Sequence, residues 1–187
     1  MTIHGKVFAV TGAGGNLGLA VARLLLERGA LVSLFDHDTH RVRQAFDSEV
    51  AAGTATVSAL DLTDEAAVRA AVVLEHQRRG RFDGIVCTVG GYKAGSVSDT
   101  SWADWEWLLS LNVKATVACS RAALPPLLAQ GSGSIVHVAS LAALAGTSGQ
   151  AAYSAAKAAV LRFSEALADE VKAAGVRVNA VLPGTMD

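Results

Sequence analysis

Two hydrophobic rhythms alternate along the chain. Short, mainly apolar runs occupy residues 6–11, 31–36, 55–60, 84–88, 133–140 and 176–182, and most end at Asp, Ser or Thr. Between them, apolar positions return every three or four residues over 17–28, 40–50, 64–79, 102–128 and 150–174. The first rhythm predicts strands buried on both faces, and the second predicts helices with one apolar face. Gly29 is placed to close the first helix and Thr63 to cap the third. The helix over 102–128 is expected in pieces. Strictly alternating strands and helices predict one α/β domain over 1–187, a doubly wound parallel sheet in three α/β/α layers. Such sheets take ligands at the carboxyl ends of their strands.

Composition narrows the classes. The chain has 187 residues, enough for a sizeable core, and is 51% hydrophobic. Its apolar runs are nevertheless too short and too often interrupted to span a bilayer. The N-terminal stretch lacks a basic start with an apolar signal region, so a cytoplasmic protein is expected. A formal net charge of -1 gives no electrostatic reason to expect nucleic acid or an anionic membrane as partner. Cys87 and Cys119 lack metal-ligand spacing and lie in apolar segments, as reduced core residues do. The histidines form no zinc-binding pattern, so no metal is expected. His137, in mid-strand, reads as a core histidine.

Chemistry concentrates at strand ends. Between the first strand and first helix lies Gly12-Ala-Gly-Gly-Asn-Leu-Gly18. Glycines let the backbone turn sharply and approach a pyrophosphate, while the helix N-terminus offers free N–H groups and a positive dipole end. Strand, glycine turn, helix and strand together span the length of a dinucleotide-binding unit. Asp36 ends the second strand. A carboxylate there accepts hydrogen bonds from adenosine ribose hydroxyls and repels a 2′-phosphate, which favours NAD, although His37, His40, Arg41 and Arg43 soften that repulsion and leave NADP open. Asp61 ends the third strand, either to meet the adenine amino group or to cap the next helix.

Tyr153 and Lys157 are one helical turn apart, on one face. A phenol beside an ammonium is an acid–base device, because the cation favours phenolate over phenol. Ser140 ends the preceding strand, where its hydroxyl can reach a substrate carbonyl.

The ordered set Thr11-Gly12, Asp61, Asn112, Ser140, Tyr153-x-x-x-Lys157 and Pro183-Gly184 resembles the short-chain dehydrogenase/reductase family over essentially the whole chain. The resemblance implies a Rossmann fold and an NAD(P)-dependent oxidoreductase that interconverts a secondary alcohol and a ketone. Tyr153 takes the place of the general acid or base. Lys157 corresponds to the residue that tunes the tyrosine and holds the nicotinamide ribose, Ser140 to the carbonyl-orienting serine, and Asn112 to the asparagine that positions a relay water. Cofactor contacts are implied at Gly12, Gly14, Gly15, Asn16, Leu17, Gly18, Asp36, Asp61, Leu62, Val89 and Gly90, at Tyr153 and Lys157, and at Pro183, Gly184 and Thr185. A small carbonyl or alcohol substrate and a homodimer or homotetramer are also implied.

Three departures stand out. Asn16 replaces the middle glycine of the family's turn; Asn tolerates unusual backbone angles, so cofactor binding is expected to survive. Cys87-Thr-Val-Gly90 stands where the family has Asn-Asn-Ala-Gly, with Thr88 expected to restore some hydrogen bonding. The chain ends at Asp187, where relatives continue through a substrate-covering segment, a helix and a strand. That difference motivates an alternative, a dinucleotide-binding regulatory or scaffold protein without turnover. Reduction of a pterin-like ring or an enoyl group is a further alternative. Trp102, Trp105 and Trp107 read as core or interface residues, and Tyr92 as a possible substrate contact.

Overall fold

Every apolar run becomes a parallel strand in the computed structural model, which describes residues 2–184. The strands are β1 (Val7–Thr11), β2 (Leu31–Asp36), β3 (Ala55–Ala59), β4 (Gly84–Cys87), β5 (Gly133–Val138) and β6 (Val176–Val181), ordered β3-β2-β1-β4-β5-β6. Helices α1 (Asn16–Glu27), α2 (His40–Ala51), α3 (Glu65–Arg79), α4 (Trp102–Leu109), α5 (Ala115–Gln130) and α6 (Ala151–Val171) connect them. After β3 the chain crosses to the far side of β1 to form β4. The strand order reverses there, so a crevice opens above Thr11, which pairs with Phe35 on one side and Cys87 on the other.

Strand side chains alternate between two cores, as the pleat requires. Val7 and Ala9 join Phe35, Ile85 and Ile135 beneath α3, α5 and α6. Val10 joins Val32, Leu34, Val42 and Phe46 beneath α1 and α2. The expected third layer is complete over β1, β2 and β3 only. Over β4, β5 and β6 no described helix covers that face. Val86, Val136 and Val138 are only half-buried there, Arg177 and Asn179 are exposed, and Val181 is 46% exposed.

Several boundaries move for local reasons. Asp64, not Thr63, caps α3: its carboxylate accepts from the N–H groups of Ala66 and Ala67 at 2.9 and 3.2 Å. Thr63 instead donates its hydroxyl to Asp61. The long helix over 102–128 divides at a π turn, Ser110–Lys114. The strand expected to reach Ser140 stops at Val138, because Ser140 opens a short 3-10 turn, Leu141–Ala143. Of the tryptophans expected at the core or an interface, Trp102 is 82% exposed, Trp105 is half-buried, and Trp107 is 45% exposed while packing against Gly91.

His137 is a core residue, held between the hydroxyls of Ser120 at 2.8 Å and Ser164 at 2.7 Å. Burial pushes its pKa down to about 4, so the ring is neutral in ordinary buffers. Cys87 and Cys119 are free, buried thiols, and the hydrogen bond with Cys119, reinforced by burial, raises Cys87 well above the usual range.

The glycine turn sets how closely α1 approaches β1. A Cβ on Gly18 would come 2.2 Å from the Gly12 carbonyl oxygen, a backbone atom that cannot yield alone. Gly18→Ala is therefore expected to destabilise the fold by about 1–3 kcal/mol in urea denaturation. Gly146→Ala, where the added Cβ meets nothing within 4 Å, should stay within about 0.5 kcal/mol of the parent.

Candidate active site

Two backbone turns meet at the crevice. Gly12 adopts φ +67, in the left-handed region, and an added Cβ would lie 2.7 Å from the Val89 nitrogen. The turn after β1 thus passes against the turn after β4 with no room for a side chain. Thr88 fastens the junction. Its hydroxyl donates to the Thr11 carbonyl at 2.7 Å, and its N–H donates to the same oxygen at 3.1 Å. The hydrogen bonding expected of Thr88 in this altered segment is present.

Gly14 and Gly15 lead into α1, whose N-terminus has no side-chain cap. Its first N–H groups face the crevice as a ready anion cradle. Asp36 is almost fully buried and closes one side. Its Oδ2 accepts from the Gly14 N–H at 2.8 Å, and Oδ1 accepts from the Asp38 N–H at 3.2 Å and lies 2.9 Å from His37 Nδ1. Asn16 keeps the helical start and accepts a bond from Arg41 at 3.1 Å. Asp61 does not cap α3, a place taken by Asp64. Instead Asp61 lines the crevice, and its Oδ1 accepts from the Thr63 N–H and hydroxyl at 2.8 Å each. Those two bonds hold its carboxyl below the usual range. This half of the cleft has a volume of about 710 Å³ and runs from Asp36, Asp61 and Leu62 to Val89 and Gly90.

The second half, about 510 Å³, shares Gly12, Gly15, Thr88 and Gly90 with the first and carries the titratable groups. Asn16, Leu17 and Gly18 line it together with Ser140, Tyr153, Lys157, Pro183 and Gly184. Thr185 lies outside the described residues.

Lys157 is buried in α6 beside Tyr153, its Nζ 5.8 Å from the phenol ring centre. It donates to the Val138 carbonyl at 2.9 Å, which ties α6 to the end of β5. Burial lowers its pKa to about 8. Ser140 accepts from the Ala142 N–H at 3.2 Å, which leaves its own proton free to donate into the cleft.

Asn112 sits in the π turn with its side chain fully buried. Its amide imitates a peptide group: Nδ2 donates to the Gly91 carbonyl at 3.0 Å and to Leu108 O at 2.9 Å, while Oδ1 accepts from the Gly91 N–H at 3.3 Å. Gly90 fills the gap between Asn112 and Lys157. A Cβ there would lie 2.7 Å from Asn112 Oδ1 and 3.2 Å from Lys157 Nζ.

All four residues expected to carry chemistry converge on this end of the sheet: Ser140, Tyr153 and Lys157 line the cleft, and Asn112 lies behind it. Sequence reasoning missed Trp107 and Leu111, which also line the first half. Their apolar character gave them the look of ordinary helix positions. The contact of Tyr92 with Tyr153 was also missed. The rings stand 5.0 Å apart at 85°, and only the position of Tyr92 after the paired glycines hinted at it.

Known proteins resemble this chain in sequence and fold. The chain is 37% identical over 185 residues to 2-(S)-hydroxypropyl-CoM dehydrogenase 3 of Xanthobacter autotrophicus, covering 98% of this chain and 72% of that protein. An NAD+-bound xylitol dehydrogenase structure superposes with a TM-score of 0.93 at 32% identity, covering 100% of this chain and 73% of that one. A structure described as a putative short-chain dehydrogenase/reductase from Burkholderia xenovorans gives a TM-score of 0.92 at 35% identity, over 99% and 76% of the two chains. The profile of the family described as short chain dehydrogenase matches residues 6–187. This chain belongs to the short-chain dehydrogenase family, whose members are oxidoreductases acting on CH–OH groups.

Proposed function

We propose that the protein interconverts a secondary alcohol and a ketone by hydride transfer with a nicotinamide cofactor, NAD in preference to NADP, and that Tyr153 moves the proton. The observation that carries this reading is the single cleft that joins the glycine turn to Ser140, Tyr153 and Lys157.

The residues present fit a dinucleotide. The uncapped start of α1 and the glycines before it suit a pyrophosphate, and Asp36 and Asp61 line the end where an adenosine would lie. Leu62, Val89, Pro183 and Gly184 supply further walls. The cofactor, when bound, supplies or accepts the hydride at the carbonyl carbon.

The chain's own groups handle the oxygen. During ketone reduction negative charge grows there, and two donors stabilise it. Ser140 gives a hydrogen bond from the proton its hydroxyl has free. Tyr153 transfers its phenolic proton to that oxygen; in alcohol oxidation it takes the proton back. The Lys157 ammonium favours the phenolate that results, and its burial strengthens that influence. Asn112 holds the Gly91 backbone and thereby the floor on which Lys157 rests. A reductase of an enoyl group or a pterin-like ring would have less use for a serine and a tyrosine aimed at one oxygen.

Tyr153→Phe should lower turnover by roughly a hundred- to ten-thousandfold. NADH affinity in fluorescence titration should stay within about threefold, since the ring remains. Turnover close to the parent's would remove Tyr153 from the reaction.

The buried carboxylate of Asp36 sets the cofactor preference. NADH should bind at least about tenfold more tightly than NADPH, equivalent to about 1.4 kcal/mol. Asp36→Ala should narrow that ratio, and tighter NADPH binding by the parent would reverse the assignment.

The Lys157 charge is present below its pKa of about 8 and lost above it. In ketone reduction kcat/KM should therefore fall as pH rises through about 8, well below the 10.5 of an ordinary lysine. A profile that stays flat to about pH 10 would show that this charge does not assist the step.

A further inference from the structure

We propose that Tyr92 is a specificity-determining residue that selects ketones, or the matching alcohols, bearing an aromatic substituent beside the reacting carbon. The inference rests on Tyr153 being the proton donor and names the substrate class of that same site.

Three observations carry it. Tyr92 lines the same half of the cleft as Ser140, Tyr153 and Lys157 and is 56% exposed, so most of its ring is open to an incoming molecule. It stands edge-to-face with Tyr153, ring centres 5.0 Å apart. Tyr92 thus borders the half-cleft into which a molecule handled by Tyr153 must fit.

The segment carrying Tyr92 is pinned on both sides. Asn112 grips Gly91 through its amide, and the Gly95 N–H donates to the Gly149 carbonyl at 2.8 Å, just before α6 begins. Lys93 pairs with Asp104 at 2.6 Å. Tyr92 is therefore presented on a fixed loop and loses little freedom on binding a ligand.

The charge around it decides the class of substituent. Among the described residues of that half-cleft the one cation is Lys157, which is turned to the Val138 carbonyl, while Lys93 is held by Asp104. An anionic substituent would find no free positive partner and would be desolvated at a cost. A flat apolar ring finds the face or edge of Tyr92, with Leu141 exposed nearby beside Gly184.

The test compares acetophenone with 2-butanone in the full chain with NADH. The parent should favour acetophenone in kcat/KM. Tyr92→Phe should keep that ratio, and Tyr92→Ala should lower kcat/KM for acetophenone by roughly three- to tenfold, mainly through KM, with less than about twofold change for 2-butanone. Tyr92→Leu, which retains apolar bulk, should behave like Tyr92→Ala and serves if the alanine variant does not fold. NADH titration should be unchanged in each variant. Equal losses on both ketones would reduce Tyr92 to a structural role and overturn the inference, as would no turnover of acetophenone by the parent. Neither result touches the assignment of Tyr153, which stands or falls on Tyr153→Phe.

Discussion

The site depends on a backbone crossing. The turn after β1 and the turn after β4 lie so close at Gly12 and Val89 that no side chain fits between them. Thr88 locks that approach by spending both its N–H and its hydroxyl on one carbonyl, that of Thr11. Strand order reverses at this same point, so two loops that diverge elsewhere along the sheet edge here share one floor. The half of the cleft lined by Asp36 and Asp61 lies on one side of the crossing, and the half lined by Ser140, Tyr153 and Lys157 on the other. Their relative position is fixed by main-chain contact rather than by flexible side chains.

A second chain of constraints reaches the reacting groups. Lys157 is buried and bonded to the last carbonyl of β5, so the sheet, not solvent, sets where its charge lies. Asn112 lies in the π turn that divides the long helix and substitutes for a peptide group in holding Gly91. A π turn rotates the following residues relative to an uninterrupted α-helix. Asn112 is turned inward to the loop while α5 beyond it still packs against α3 and β4.

Much of this was legible from residue order. The six apolar runs and the intervening helical periods fixed the alternation, because strands buried on both faces cannot hide their composition. Gly12 to Gly18, Ser140 and Tyr153-x-x-x-Lys157 were readable because backbone approach and proton transfer each demand particular residue types. Three kinds of feature were not. Asp64 displaced Thr63 as cap through a competition between neighbouring polar side chains that propensity alone does not rank. The π turn leaves no mark in hydrophobic spacing. Contacts such as Tyr92 on Tyr153 join residues far apart in the chain, and nothing local to either announces the other. The exposed face of β6 departs from the expectation of strands buried on both faces: Arg177, Asn179 and Val181 alternate with the buried Val176 and Val178.

Gly90 carries a consequence for how such a site can vary. It separates Asn112 from Lys157 by less than the width of a methyl group, so the lysine's neighbourhood is defined by an atom that is missing. Two positions on in the same loop, Tyr92 is exposed and meets no such limit. Within a few residues the loop therefore combines a position closed to every side chain with an exposed one. Variation at Tyr92 can leave the contact region of Asn112 and Lys157 intact, provided that one hydrogen atom is left where it is.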